Sequence, residues 1–202
     1  MDTGIVRAKK SGWWRALAFL LLAAVLGSGG CQGGTARPAV DPAQLLLDVS
    51  AYPVGWELCE SGKYLAGKAS PNLTEGAEEV AFEAFCTADP EARSGERIYR
   101  FRSAGRAASK YGEFRWRQFP DFPGGWWTPE GLAYVSDVAD QWYFGCTDQW
   151  FEGETVCGLA AQYDEYFVFF SATTIVDGQE VLSVEDLARM LQGIDRKMAG
   201  VR

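Results

Sequence analysis

The chain has no histidine among its 202 residues. This absence excludes serine and cysteine nucleophiles activated by histidine, proton transfer by histidine near neutral pH, and zinc sites that use imidazole. The GxSxG, SxxK, HExxH and glycine-rich phosphate-loop motifs are also missing from the sequence. Several large classes of enzyme are thereby removed. We expect a non-catalytic protein without a catalytic residue, a cofactor or a metal site.

A transmembrane anchor is not expected at the amino end, because the apolar run from Ala16 to Leu26 has eleven residues. A helix that spans a bilayer needs roughly 20 apolar residues. Four basic residues precede the run, namely Arg7, Lys9, Lys10 and Arg15, and the small residues and cysteine of GSGGC follow it. This three-part plan is typical of a secretory signal that is removed from the mature protein.

At Cys31 the leader resembles a bacterial lipoprotein precursor, in which signal peptidase II cleaves before a cysteine that becomes lipid-modified. Gly29 and Gly30 match the small residues that the family has before that cysteine. The resemblance implies a signal peptide over residues 1–30, a lipidated Cys31 with a flexible tether over 31–42, and one extracytoplasmic domain over 43–202. The alternative is that Cys31 is an unpaired thiol beyond an ordinary secretory leader.

The clearest fold signal runs from Trp142 to Thr174, WYFGCTDQWFEGETVCGLAAQYDEYFVFFSATT, and predicts three consecutive antiparallel strands. With Cys146 opposite Cys157, alternation along each strand places apolar side chains on one shared face. These side chains are Trp142, Phe144, Leu159, Ala161, Tyr163, Tyr166, Val168 and Phe170. Phe167 and Phe169 fall on the other face, so both faces of these strands can be covered.

Two further strands and two helices are expected around this segment. Alternating apolar residues predict a strand from Glu79 to Cys86 and another from Glu96 to Arg102, with a loop over residues 89–95. Ser103 is placed to begin a helix of weak propensity. This order predicts an α+β fold, an antiparallel meander sheet with helices packed on one face and two disulfides.

The last helix has the best-defined start in the sequence. Ser183 and Asp186 have the spacing of a capping box, in which each residue bonds the backbone of the other. An apolar stripe follows at helical spacing: Leu187, Met190, Leu191, Ile194 and Met198. The stripe predicts a helix that packs firmly against the sheet.

Apart from Cys31, the chain has four cysteines, an even number that suits an exported protein. We predict sequential pairing, Cys59 with Cys86 and Cys146 with Cys157. Four free thiols or a Cys₄ metal site are the alternatives, but no two of these cysteines are spaced as CxxC.

Trp126, Trp127 and Trp150 are the ligand candidates, because exposed aromatic faces stack on sugars and other flat groups. The alternative is that they fold back to cover the sheet. Acidic residues near the central hairpin also permit a hard cation, although no EF-hand spacing is present. The net charge of −8 argues against nucleic acid as the partner.

Residues 93–117 hold eight Lys and Arg against two Glu, whereas residues 118–188 hold thirteen Asp and Glu and no Lys or Arg. We expect these two stretches to neutralise each other across the fold. The alternative is that the basic stretch receives an anionic partner.

Together these observations predict a lipid-anchored extracytoplasmic domain of the bacterial cell envelope that binds a protein, a glycan or a small ligand. The competing hypothesis is a small envelope hydrolase that uses paired carboxylates, although the sequence selects no pair among its many acids.

Overall fold

A computed structural model describes residues 39–65, 76–120 and 125–201. These ranges belong to one compact unit, Ala39–Arg202. The predicted leader, Cys31 and most of the predicted tether lie outside the described residues, so the lipoprotein assignment and the domain boundaries stay predictions.

The described residues contain a sheet of seven strands and two α-helices. In chain order these are β1 (Glu57–Leu65), β2 (Glu79–Ala88), β3 (Glu91–Arg100), α1 (Ala104–Gln118), β4 (Gln141–Thr147), β5 (Glu154–Tyr163), β6 (Tyr166–Val176), β7 (Gln179–Glu180) and α2 (Val184–Met198). Short 3₁₀ helices cover Pro42–Gln44, Val49–Ala51 and Ala199–Val201.

The strands lie side by side in the order β1-β2-β3-β6-β5-β4, with β7 paired to β6, and every pair is antiparallel. The sheet therefore consists of two three-stranded meanders joined where β3 meets β6. The predicted α+β fold, with an antiparallel meander sheet, packed helices and two disulfides, is confirmed.

The two helices lie against opposite faces of the sheet, whereas one shared face was expected. Ile98, Leu159 and Val168 point towards α2 and form one core with its apolar stripe. Tyr99 follows Ile98 and Phe167 precedes Val168 in the chain, so their side chains point the other way. They form a second core with α1. The prediction that both helices share one face was wrong, because the central strands are apolar on both sides and each side takes a helix.

Strand β3 begins at Glu91 and not at Glu96 as expected, and residues 89–95 do not form a loop. Ala88 lies opposite Glu91, so only Asp89 and Pro90 separate β2 from β3. The buried positions alternate from Ala92 through Ser94 and Glu96 to Ile98. Two of these inward residues are polar, so the first half of the strand could not be recognised from an alternation of apolar residues.

Strand β1 was not predicted, because nearly all of its residues are exposed and it carries no apolar stripe. Its pairing with β2 and the Cys59–Cys86 disulfide hold it at the edge of the sheet. The second disulfide joins Cys146 and Cys157, which are directly opposite each other on β4 and β5 and fully buried.

Helix α2 begins as its sequence predicts. The Ser183 hydroxyl accepts the Asp186 N–H at 3.1 Å, and the Asp186 carboxylate accepts the Ser183 N–H at 3.1 Å. All five residues of the predicted stripe are buried. A Cβ at Gly193 would lie 2.8 Å from Cδ2 of Leu47, so this glycine lets the amino-terminal segment pack closely on the helix.

Candidate functional site

A row of small residues crosses five strands on the sheet face that carries α1. Ala84 lies opposite Gly95, Gly95 opposite Ser171, Ser171 opposite Gly158, and Gly158 opposite Gly145. Residues that lie directly opposite in antiparallel strands direct their side chains to the same face. The row therefore forms a trough, named here the small-residue trough, that runs across the strands from β2 to β4.

Two aromatic rings fill one end of the small-residue trough. A Cβ at Gly158 would lie 3.0 Å from the ring of Phe119, and a Cβ at Gly145 would lie 3.0 Å from Cβ of Trp126. The two rings also contact each other, with centroids 4.5 Å apart. Glycine at these two positions is what lets the rings rest on the backbone.

The other end of the trough is open and forms a cleft of about 360 Å³ over Ala84, Gly95 and Ser171. Helix α1 ends at Gln118, which lines this cleft, so the helix does not extend over it. A Cβ at Gly95 would have only the Glu83 carbonyl oxygen near it, at 3.8 Å. A cleft of this volume is of the size that proteins use to hold small organic molecules.

Aromatic side chains form the sides of the cleft. Phe82 and Phe169 lie on the same face as the small-residue trough, two residues away from it along their strands. Trp150 and Phe151 reach the cleft from the loop between β4 and β5. Phe151 is 58% exposed, although residues of this size are usually covered. The cleft thus offers flat apolar surfaces over a floor without bulky side chains.

Two arginines of β3 contribute positive charge to the cleft. Arg93 forms an ion pair with Glu60 of β1 at its rim. Arg97 lies between Phe82 and Phe169 in the register of the sheet. Within the part of the chain that the structure describes, no carboxylate lies within ion-pairing distance of Arg97.

The structure brings together two of the three tryptophans selected from the sequence. The rings of Trp126 and Trp150 meet edge to face, with centroids 4.8 Å apart. Trp150 lines the cleft, and Trp126 lies behind it over Gly145. Trp127 pairs through its backbone with Cys146 and is 41% exposed, but it does not line the cleft. Ligand binding by these residues stays a prediction.

Sequence reasoning missed Phe82, Arg97 and Phe169 as site residues. Each lies in a strand whose alternation was read as ordinary sheet structure. The signal that would have found them is the row of small residues beside them, which becomes visible only when the strand register is known.

Among the described ion pairs, none joins the basic stretch to the acidic residues of 118–188, although such pairs were expected. Arg100 contacts Glu78 and Glu79, Arg102 also contacts Glu78, and Arg117 contacts Glu113 of its own helix. The reason is the sheet register, which places Arg100 opposite Glu79 on β2. In the described ion pairs, Arg97 is therefore the arginine of β3 that has no carboxylate partner.

Among the residues that the structure describes, two acids are buried, Glu96 and Asp195, and both lie on the face that carries α2. Glu96 is 1% exposed and accepts the backbone N–H of Leu47 at 2.8 Å. Burial raises the pKa of Glu96 to about 8, and the nearby charge of Glu83 adds to the effect. Glu96 is therefore mostly protonated at neutral pH.

Asp195 of α2 accepts hydrogen bonds from two tyrosine hydroxyls, those of Tyr163, at 2.6 Å, and Tyr134. Burial and the hydrogen bond to Asp195 raise the pKa of Tyr163, so its hydroxyl remains a donor. Both buried acids are thus occupied inside the core on the side opposite the cleft. The described residues give no observation that favours the carboxylate hydrolase.

In the described ranges, no group of three or more Cys, Asp and Glu side chains is arranged to hold a metal ion. Likewise, none of the described helices is both long and apolar enough to cross a membrane. The two disulfides are typical of proteins that fold in an oxidising compartment, which supports an extracytoplasmic location.

No protein-family model and no curated protein matches the sequence. Among solved structures, the extracellular domain of PknH from Mycobacterium tuberculosis is similar, with a TM-score of 0.48 and 10% sequence identity. The match covers 81% of this chain and 96% of that one.

Proposed function

We propose that this protein is a non-catalytic binding domain of the bacterial cell envelope and that the cleft over Gly95 is its ligand site. The observation that carries the proposal is the small-residue trough, which is filled by rings at one end and open at the other. The cleft at the open end has a volume of about 360 Å³ and aromatic sides. This size and this lining are those of sites that hold small molecules.

The proposal includes a lipid anchor on Cys31, which would hold the domain at the extracytoplasmic side of the membrane through a tether over residues 31–42. The leader and the glycines before Cys31 support the anchor, and the disulfides support the location. Each buried methylene of a lipid chain contributes about 0.8 kcal/mol to membrane binding, so two acyl chains give a durable anchor.

The anchor is tested by growing the producing bacterium with a radioactive fatty acid. The wild-type protein is expected to carry the label, and Cys31→Ser is expected to lose it. Label that persists in Cys31→Ser would show that Cys31 is not the lipidated residue.

The cleft is tested with Gly95→Phe, which places a ring in the cleft. Phenylalanine is well tolerated in strands, and a Cβ at Gly95 meets no atom closer than 3.8 Å, so the fold is expected to persist. The matched control is Gly105→Phe, the same change at an exposed position of α1 outside the cleft lining.

The probe is 1-naphthalenesulfonamide, a neutral aromatic molecule, and its binding is followed by calorimetry on the protein in lipid nanodiscs with empty nanodiscs as the blank. Wild type and Gly105→Phe are expected to bind the probe, and folded Gly95→Phe is expected to lose it. Equal binding by wild type and Gly95→Phe would place the binding surface elsewhere.

A further inference from the structure

Arg97 differs from the other two arginines of β3 in having no carboxylate partner among the described ion pairs. The next arginine, Arg100, contacts two glutamates, and Arg93 on the other side contacts Glu60. Arg97 is half-buried, and the described residues offer it no carboxylate. A guanidinium stays charged at any pH that a protein experiences, so this charge remains uncompensated on the side of the cleft.

The described carboxylates nearest to Arg97 in the sequence or in the fold either lie on the other face of the sheet or bind another group. Glu96 is next to Arg97 on β3, and Glu83 is next to Phe82 on β2. Successive side chains of a strand point to opposite faces, so both glutamate side chains lie on the face opposite Arg97. Glu60 is held by Arg93. Glu154 accepts the Thr173 hydroxyl at 3.5 Å and does not line the cleft.

The hydroxyl of Tyr99 lies near Arg97. Burial raises the pKa of Tyr99, and the positive charge of Arg97 opposes that rise. A neutral hydroxyl supplies no negative charge, and a guanidinium has five N–H donors. Contact with Tyr99 therefore leaves both the charge and most of the donors of Arg97 available to a molecule in the cleft.

The surroundings of Arg97 define the rest of such a molecule. Phe82 and Phe169 flank Arg97 across the strands, and Gly95 beneath leaves room for a flat group. A planar guanidinium binds carboxylate, sulfonate and phosphate oxygens in pairs, and such charge-assisted bonds are the stronger kind. The volume of about 360 Å³ suits one small molecule and not a two-chain phospholipid.

We infer that the cleft binds a small free organic anion, with its acid group on Arg97 and an aromatic or branched hydrocarbon body over Gly95. This inference rests on the proposed function, because it assigns a ligand class to the same cleft. The shared chemistry is one carboxylate, sulfonate or phosphate group joined to an apolar body.

The test compares 1-naphthalenesulfonate with 1-naphthalenesulfonamide, two probes with the same body that differ in charge. Binding is measured by calorimetry on the protein in nanodiscs of neutral lipid. The wild type is expected to bind the sulfonate about 10- to 100-fold more tightly than the sulfonamide, as one charge-assisted contact allows. This difference is expected to shrink in high salt, because salt screens the charge of a partly exposed group. This arm needs no variant and is independent of any effect on folding.

Variants then assign the difference to Arg97. Arg97→Gln is expected to lower sulfonate affinity to that of the sulfonamide and to leave sulfonamide affinity within about twofold, while Arg97→Lys recovers part of the loss. Arg117→Gln is the matched control, because it removes the same charge from an exposed part of α1 outside the cleft lining.

The outcomes separate this inference from the proposed function. Equal affinity of wild type for the two probes, with both lost in Gly95→Phe, would overturn the anion assignment and leave the cleft as the site. Absence of binding by either probe would remove both proposals. Loss of sulfonate binding in nanodiscs that contain phosphatidylglycerol would overturn the free small anion in favour of a lipid headgroup.

Discussion

The two faces of the sheet are built from the same strands and each receives one helix of 15 residues, yet one face is closed and the other is not. Under α2 the strands present large side chains such as Ile98, Leu159 and Phe170, which fill the space beneath the helix. Under α1 the small-residue trough crosses the strands, and only half of it is filled. Equal helix lengths therefore do not give equal coverage, since the size of the strand residues decides where space remains.

The two faces also treat charge differently. The closed face contains Glu96, a residue that is 1% exposed and whose pKa is raised to about 8 by burial. The open face contains Arg97, which is half-buried and remains charged. An enclosed carboxylate can become neutral by taking up a proton, but a guanidinium has no such route. The charge on the open face is thus left for solvent or a ligand to compensate.

The largest expected effect is on the closed face, in the pH dependence of stability. A pKa of about 8 for Glu96 in the folded protein, against an ordinary value of 4.5, means that the folded state binds more protons between those pH values. The free energy of unfolding therefore falls as pH rises from about 4.5 to about 8. For a fully buried group the size of the fall is about 5 kcal/mol.

Glu96→Gln removes this titration and keeps an acceptor for the Leu47 N–H. Denaturant unfolding of residues 32–202 is measured across that pH window. The free energy of unfolding of Glu96→Gln is expected to change less with pH, and this variant is expected to be more stable than wild type above a pH of about 8. Glu180→Gln, an exposed change on β7, serves as the control and should keep the wild-type slope. Parallel profiles for wild type and Glu96→Gln would show that Glu96 is ionised at neutral pH.

The next effect contrasts a core residue of the closed face with a residue at the mouth of the cleft. Leu191→Ala is expected to lower the free energy of unfolding by about 2 to 5 kcal/mol, because Leu191 is fully buried and its removal leaves a cavity. Phe151→Ala is expected to change stability by no more than about 0.5 kcal/mol, because its ring is 58% exposed.

The stability of both variants is measured from their denaturant midpoints. Binding of 1-naphthalenesulfonamide is measured as well, because the two variants are expected to affect binding in the opposite order. Phe151→Ala should weaken probe binding while Leu191→Ala, where folded, should not. A Phe151→Ala protein that is destabilised as strongly as Leu191→Ala would mean that the open face belongs to the core.

The parts of the fold that could be predicted from sequence are those where one local pattern decides the structure. Ser183 and Asp186 fix the start of α2 through bonds within four residues, and Cys146 and Cys157 lie on strands joined by one short loop. Strand β1 escaped prediction because its exposed residues carry no pattern, and its position depends on pairing with β2.

The candidate site was harder to predict because it depends on register across five strands. Ala84 and Gly145 are distant in the sequence, and neither is unusual alone. They become parts of one trough only because β3 pairs with β6, a contact between the two meanders that no local signal indicates. Trp150 was found because tryptophan is conspicuous, whereas Arg97 looked like one of several charges in a basic stretch.

The smallest expected effect compares the first turns of the two helices. Both begin after a serine, but Ser183 accepts the Asp186 N–H, whereas the Ser103 side chain makes no capping hydrogen bond. The third residue of α1 is Arg106, so no acid is present to complete a capping box there. Ser183→Ala is therefore expected to cost about 1 kcal/mol, and Ser103→Ala no more than a few tenths, close to the limit of detection. Denaturant midpoints of the two variants, measured side by side on residues 32–202, decide the matter. An equal loss in both would mean that Ser103 caps α1 in solution, and the helix beside the cleft would then be anchored as firmly as the helix on the closed face.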